Sequence, residues 1–158
     1  MRIETMMKSK QEAVELATQF VREGFLCSES VLMSLSRSLD VSSDVIPRIA
    51  TGFGAGIGRH GEVCGALAGG VMALGLKYGR SVIDAAPAER RPYWFAAELL
   101  TRFRSEFGAV RCRDLLGVDI SSEEGLRAYR EEKLWDTRCR RIIVATTELA
   151  HDILRSKS

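Results

Sequence analysis

The sequence predicts an all-α fold, a single-domain bundle of four or five main helices with short helices between them, over residues 1–158. Apolar residues recur at helical spacing along most of the chain, glycine or proline stands at the ends of these segments, and no segment alternates as a strand does. A chain of 158 residues has the length of one domain and buries roughly 70% of its unfolded surface.

Glycine separates the first two predicted helices. An apolar stripe over residues 13–21 predicts the first helix, and Gly24 ends it. The second helix follows, with Ser28 as the expected N-cap and Cys27 at or just before the first turn. A short helix is expected around Pro47, because proline suits a first-turn position.

Small residues dominate the middle of the chain. A glycine-rich segment over residues 52–61 predicts a flexible turn, which leads into a helix over residues 62–78. Three glycines here follow at intervals of four residues: Gly61, Gly65 and Gly69. Glycine inside a helix costs about 1 kcal/mol relative to alanine. We therefore expect either another helix packed on this glycine strip or an open surface that gives access to Cys64.

The second half of the chain predicts three further helical regions. Pro87 opens a long amphipathic helix that Gly108 ends, and a short helix over residues 109–116 follows, which Gly117 ends. Ser121, with a glutamate three residues later, resembles a capping box. The last helix is expected over residues 134–154.

Charge and hydropathy exclude several functional classes. A formal net charge of +2 is too small to indicate nucleic-acid binding. The N-terminal segment lacks the apolar region of a secretory signal. The most apolar run, residues 63–76, is too short to span a membrane. We therefore expect a cytoplasmic protein without a membrane span, whose thiols are reduced by default.

Four single cysteines are the candidate catalytic residues: Cys27, Cys64, Cys112 and Cys139. The intervals between them contain 36, 47 and 26 residues, so neither a thioredoxin C-x-x-C motif nor a zinc ribbon is present. Each lies near a predicted helix start or early turn, where backbone N–H groups favour a thiolate. Cys64 is the expected low-pKa nucleophile, and arginines beside Cys112 and Cys139 are expected to favour thiolates there.

The glycine-rich segment also matches a dinucleotide-binding pattern, Gly56-x-Gly58-x-x-Gly61. No predicted strand precedes this pattern, so it does not indicate a Rossmann site. A backbone nest that binds an anion, assisted by Arg59 and His60, is the alternative function for this segment. The glycine segment and Glu62 are secondary candidate features.

The cysteines and their surroundings together resemble a known family. Cys27, the segment Cys64–Gly69, Cys112 and Cys139 are similar to the signature of the C_GCAxxG_C_C family of redox-active proteins, over about residues 10–150. Val63 stands where the family name has a glycine. The resemblance implies a small helical bacterial or archaeal protein of a family often encoded beside transporter genes. Split-Soret cytochromes look related, but this chain lacks the Cys-x-x-Cys-His haem attachment motif.

Three functions are consistent with these features. The first is thiol redox chemistry, in which cysteines cycle between dithiol and disulfide with an unidentified, transporter-associated redox partner. The second is an iron–sulfur cluster or another metal bound by the cysteine thiolates. The third is a non-enzymatic helical accessory module that binds a partner through the glycine strip. A homodimer is compatible with each, because the helices that carry tryptophan and phenylalanine offer apolar surface.

Overall fold

The computed structural model describes residues 7–83 and 93–156, and these residues are predominantly helical. The α-helices in the described residues are α1 (Lys10–Glu23), α2 (Cys27–Ser38), α3 (Gly54–Ile57), α4 (Gly65–Tyr78), α5 (Trp94–Phe107), α6 (Cys112–Leu116), α7 (Glu123–Glu131) and α8 (Arg140–Ser156). A 3₁₀ helix spans Arg48–Phe53, and a π-helical turn, Trp135–Cys139, leads into α8. No strand occurs in these ranges, so the predicted all-α class is confirmed.

Helices α2 and α4 lie at the centre of the bundle. Helix α2 packs against α1, α4 and α8, and α4 also contacts α5 and α8. Their shared core contains fully buried side chains such as Leu32, Leu35 and Leu67, together with Phe103 from α5 and Ile143 from α8. Burial of this apolar surface is the main stabilising term of the fold.

Several predicted helix ends are confirmed. Gly24, Gly108 and Gly117 follow α1, α5 and α6, and each adopts the left-handed conformation that ends a helix. Pro87, the predicted start of the long amphipathic helix, lies outside the described residues, and α5 begins at Trp94.

Two predicted N-caps are wrong by a small number of residues. Leu26 is the N-cap of α2, and its N–H donates to the Glu29 carboxylate at 2.8 Å. Ser28 is instead buried and donates to the carbonyl of Ala50. Similarly, Ser122 rather than Ser121 caps α7, since its Oγ accepts from Gly125 N–H. A serine hydroxyl can form hydrogen bonds with several backbone groups, so the sequence alone does not show which residue is the cap.

The glycine strip of α4 is covered by α2. A Cβ at Gly69 would lie 2.5 Å from the Ser28 carbonyl oxygen and 3.1 Å from Val31 Cβ. Helix packing therefore accounts for Gly65 and Gly69, and the strip is not an open surface. Gly61 lies before α4 rather than on it, so the predicted helix started too early.

The segment predicted as a flexible turn forms a left-handed turn, in which α3 is only a short stretch without regular right-handed helical angles. Five consecutive residues, 55–59, have positive φ angles between 55° and 69°. Ala55, Ile57 and Arg59 adopt this conformation although they carry a Cβ, which costs about 1–2 kcal/mol per residue. The surrounding contacts must outweigh this cost, and several of them involve the cysteines.

In residues 7–83 and 93–156, we find no helix with the length and apolar character needed to cross a membrane.

Candidate functional site

All four candidate cysteines line one cavity with a volume of about 310 Å³. Each comes from a different element: Cys27 is the first residue of α2, Cys64 is the N-cap of α4, Cys112 is the first residue of α6, and Cys139 ends the π-helical turn. All four are free thiols. The prediction that each lies near a helix start or early turn therefore agrees with the structure for the first three, while Cys139 lies where the π-helical turn joins α8.

The cavity lies between two hydrophobic clusters. Cys64 is buried in the main core, and Cys27 packs against that core. Cys112 is buried in a second, smaller cluster with Leu116, Ile120 and Leu134, against which Cys139 packs. Each cluster thus contributes two of the four thiols.

An isolated antiparallel bridge between Val63 and Arg111 positions Cys64 and Cys112. The N–H of Cys64 donates to Val110 O at 2.8 Å, and the N–H of Cys112 donates to Glu62 O at 2.6 Å. Because side chains alternate across an extended pair, both cysteines emerge on the same face of the bridge. They are diagonal neighbours, a relation that usually separates Cβ atoms by about 7 Å, whereas a disulfide needs about 4 Å.

Close backbone approach surrounds Cys27. A Cβ at Gly65 would overlap the Cys27 sulfur and would lie 2.9 Å from the Phe53 carbonyl oxygen. The backbone N–H groups of Ala55, Ser28 and Ala66 lie where they lower the pKa of this thiol. The left-handed turn thus supplies one of these N–H groups, which links its unusual conformation to the site.

The π-helical turn carries Trp135 and Cys139 to the cavity wall. The N–H of Arg140 bonds to Trp135 O, five residues back, and π-turns of this kind are frequent at functional sites. Tyr129 from α7 also lines the cavity, with its hydroxyl 3.9 Å from the Cys139 sulfur.

Burial raises the pKa of every cysteine in the site. Burial, together with the charge of Cys27, raises the pKa of Cys112 to about 11 and that of Cys139 to about 12. The pKa of Cys64 is raised even further, for the same two reasons and with Cys112 adding to them. The prediction of a low-pKa thiolate at Cys64 is therefore wrong, because loss of hydration outweighs the N–H groups of Ala66 and Leu67.

Burial also raises the pKa of Cys27, but here the opposing hydrogen bonds are the most numerous. The backbone N–H groups of Ala55, Ser28, Cys27 and Ala66 each lower it. A negative charge on Cys27 raises the pKa of each of the other three cysteines. Cys27 is thus the thiol to which all the others are electrostatically coupled.

The arginines beside Cys112 and Cys139 do not favour thiolates, contrary to expectation. Arg111 pairs with Glu62 at 3.3 Å, and Arg113 donates to His60 O. Arg138 donates to the carbonyls of Leu115 and Leu116, and Arg140 pairs with Asp136. Side chains of adjacent residues in a helix point in different directions, so these guanidinium groups bind partners away from the sulfurs.

The secondary features have structural roles. Glu62 is exposed and forms the ion pair with Arg111. His60 is exposed, and its Nδ1 lies 3.1 Å from Gly58 O. Among the described residues, no three His, Cys, Asp or Glu side chains are grouped closely enough to hold a metal ion.

Tyr129 and Trp135 also line the site, although neither is among the predicted site residues. Their positions depend on how α7 and the π-helical turn fold against the second cluster. Their only sequence signal is that these two aromatic residues precede Cys139, by ten and four positions.

Comparisons with known proteins identify the family of this chain. Residues 25–153 match the family model described as "Putative redox-active protein (C_GCAxxG_C_C)". A protein of Archaeoglobus fulgidus named "Uncharacterized protein" is 29% identical over 137 residues, which cover 82% of this chain and 88% of that protein. No solved structure matches. Since the family model covers most of the chain, including all four cysteines of the cavity, the protein belongs to the C_GCAxxG_C_C family.

Proposed function

We propose that this protein carries out thiol redox chemistry, in which Cys27 pairs with Cys64 and Cys112 pairs with Cys139. The observation that carries the proposal is the convergence of four cysteines, widely separated in sequence, on one cavity. Free cysteines often occur singly as buried apolar residues. Four that line one cavity are better explained by chemistry between them.

The packing of the thiols supports this pairing. Cys27 and Cys64 contact the main core, and Cys112 and Cys139 contact the second cluster. The Cys27 sulfur lies against Gly65, the residue that follows Cys64. The diagonal relation across the bridge disfavours a Cys64–Cys112 disulfide.

The chemistry begins with loss of a proton from Cys27. Its thiolate attacks an oxidant, a disulfide or another two-electron acceptor, and Cys64 then displaces the reduced acceptor to form the Cys27–Cys64 bond. Two thiols lose two protons and two electrons, and the acceptor gains the electrons. The N–H donors around Cys27 make it the preferred first thiolate, since they stabilise negative charge on its sulfur.

The alternative functions have less support. The described side chains are not grouped as a metal site, so a metal or iron–sulfur centre would require the sulfurs to move together. The glycine strip, through which an accessory module was expected to bind its partner, is covered by α2. A redox partner, its association with a transporter and a homodimer stay predictions.

Thiol counting after mild oxidation tests the proposal. The reduced protein is treated with diamide, denatured, and titrated for free thiols, and disulfide-linked peptides are identified by mass spectrometry. We expect thiols to disappear in pairs within the monomer. Cys27→Ser should leave Cys64 free and retain the Cys112–Cys139 disulfide, while Cys139→Ser should do the reverse. Four free thiols after oxidation would contradict the redox function, and other linkages would contradict the pairing.

A further inference from the structure

Arg59 is the only charged side chain among the described residues that line the four-cysteine cavity. The other lining residues are mostly apolar, among them Phe25, Leu126, Trp135 and Ile142, with the cysteines and Tyr129 as polar groups. A mostly apolar wall with one well-placed polar group is typical of a small-molecule site, and 310 Å³ lies at the lower end of the usual volumes.

The guanidinium group of Arg59 has no ion-pair or hydrogen-bond partner within residues 7–83 and 93–156. This distinguishes it from Arg111, Arg113 and Arg138, which are all engaged nearby. Arg59 ends the left-handed turn, with a φ of 69°, next to the residues that contact Cys27 and Cys112. An exposed, partner-free cation thus lies at the wall of an apolar cavity.

Within the described part of the chain, Arg59 has no carboxylate partner beside the cavity, and the N-terminus of α4 adds partial positive charge there. Helix α4 directs its N-terminus toward it through Cys64, and no acidic residue lies in the first turn of α4. The nearby carboxylates have other partners: Glu62 pairs with Arg111, Asp119 accepts from Ser121, and Glu29 accepts from Leu26 N–H and Thr51. Glu29 offsets part of the dipole of α2, so α4 and Arg59 are the main positive contributors.

We infer that this cavity binds an apolar organic molecule that carries one anionic group, a carboxylate or a sulfonate, with the anion on Arg59 and the apolar body against Trp135 and Leu126. A ligand in this position would cover the cysteines. The binding site stands on the cavity and its charge, and it does not require that the thiols be redox-active.

Two fluorescent probes with the same ring system test the role of charge. The anionic probe is 8-anilinonaphthalene-1-sulfonate, and the neutral one is N-phenyl-1-naphthylamine. We expect the reduced full-length protein to bind one sulfonate probe about tenfold more tightly than the neutral probe, as a charge-assisted contact provides. Equal affinities for the two probes would overturn the inference.

Variants of Arg59 locate the anion. Arg59→Gln should weaken sulfonate binding about tenfold and leave neutral-probe binding within about twofold, whereas Arg59→Lys should retain most of the preference. Arg48→Gln is the matched control, because it removes an exposed arginine that does not line the cavity. Far-UV circular dichroism establishes that each variant is folded. Equal losses in Arg59→Gln and Arg48→Gln would overturn the inference.

Alkylation locates the probe in the cavity. The bound sulfonate should protect at least one of the four cysteines from N-ethylmaleimide, as mapped by mass spectrometry, and a lack of protection would overturn the inference. If Arg59 only stabilised a thiolate, Arg59→Gln would shift the pH profile of alkylation without changing the probe preference, which would overturn the inference and leave the redox proposal intact. Conversely, the thiols could resist oxidation while the protein still binds the sulfonate probe. That result would contradict the redox proposal and leave the binding site intact.

Discussion

Of the four cysteines in the cavity, Cys27 is the one whose surroundings are most closely linked to the other three thiols. Its sulfur lies against Gly65, backbone N–H groups of two helices and the left-handed turn lower its pKa, and its negative charge raises the pKa of the remaining three cysteines. The absence of a side chain at position 65 is therefore a requirement of the site and of helix packing at once.

Gly65→Ala should destabilise the protein by about 2 kcal/mol, because the new Cβ overlaps the Cys27 sulfur and must displace it or the backbone. Gly75→Ala on the same helix is the matched control. A Cβ there meets nothing within 4 Å, so it should stabilise the helix by about 0.5 to 1 kcal/mol. Urea unfolding measures both changes. Similar effects of the two substitutions would contradict the close approach at Gly65.

At the scale of elements, the left-handed turn over residues 55–59 is the least expected part of the structure. It brings Ala55 N–H to Cys27, Gly56 against Cys112, and Arg59 to the cavity. A Cβ at Gly56 would lie 2.7 Å from Cys112 Cβ and 2.6 Å from Glu62 N, so the turn is packed tightly on the site. These contacts offset the conformational free energy that the left-handed residues cost.

Ile57→Gly should be about 1 to 2 kcal/mol less destabilising than Ile49→Gly, since glycine relieves a left-handed conformation only at position 57. Ile49→Gly is the matched control: Ile49 is 48% exposed, close to the 45% of Ile57, but lies in the 3₁₀ helix without a positive φ. Both substitutions therefore lose similar apolar burial and add similar chain entropy. Thermal unfolding compares the two variants, and equal destabilisation would argue against the left-handed turn.

For the whole molecule, burial of four thiols links stability to alkaline pH. Their pKa values are raised in the folded state, so the folded protein retains protons that the unfolded chain releases above about pH 8.5. The unfolded state then binds fewer protons, and stability must fall as the pH rises. Below that pH both states hold these protons, and the thiols contribute no pH dependence.

The variant Cys112→Ser tests the contribution of one thiol to this dependence of stability on pH. Because the pKa of Cys112 is raised to about 11, its loss should remove about 1.4 kcal/mol per pH unit from the decline in stability between about pH 9 and pH 11. Urea unfolding at several pH values under reducing conditions measures the slope. Wild type and variant should have parallel curves at pH 6–8 by the same linkage. Parallel curves above pH 9 as well would contradict a raised pKa at Cys112.

The sequence alone predicted the helical class and many helix ends. Apolar spacing and C-terminal glycines are local signals, and Gly24, Gly108 and Gly117 each act at the position where they occur. It also identified the four cysteines as a set through their resemblance to one family. It did not predict which residue caps α2, or that the arginines beside Cys112 and Cys139 bind groups other than the sulfurs. The hydrogen-bond partner of a polar side chain depends on the tertiary structure.

Sequence by itself thus determined the helical class and singled out the four cysteines. Only the tertiary structure decided that the glycine strip faces α2, that the cysteines meet in one cavity between two hydrophobic clusters, and that Tyr129, Trp135 and Arg59 join them there. It also reversed the expected pKa shift of Cys64. Helix periodicity is a property of neighbouring residues, whereas burial and hydrogen bonding at a sulfur depend on segments far apart in the chain.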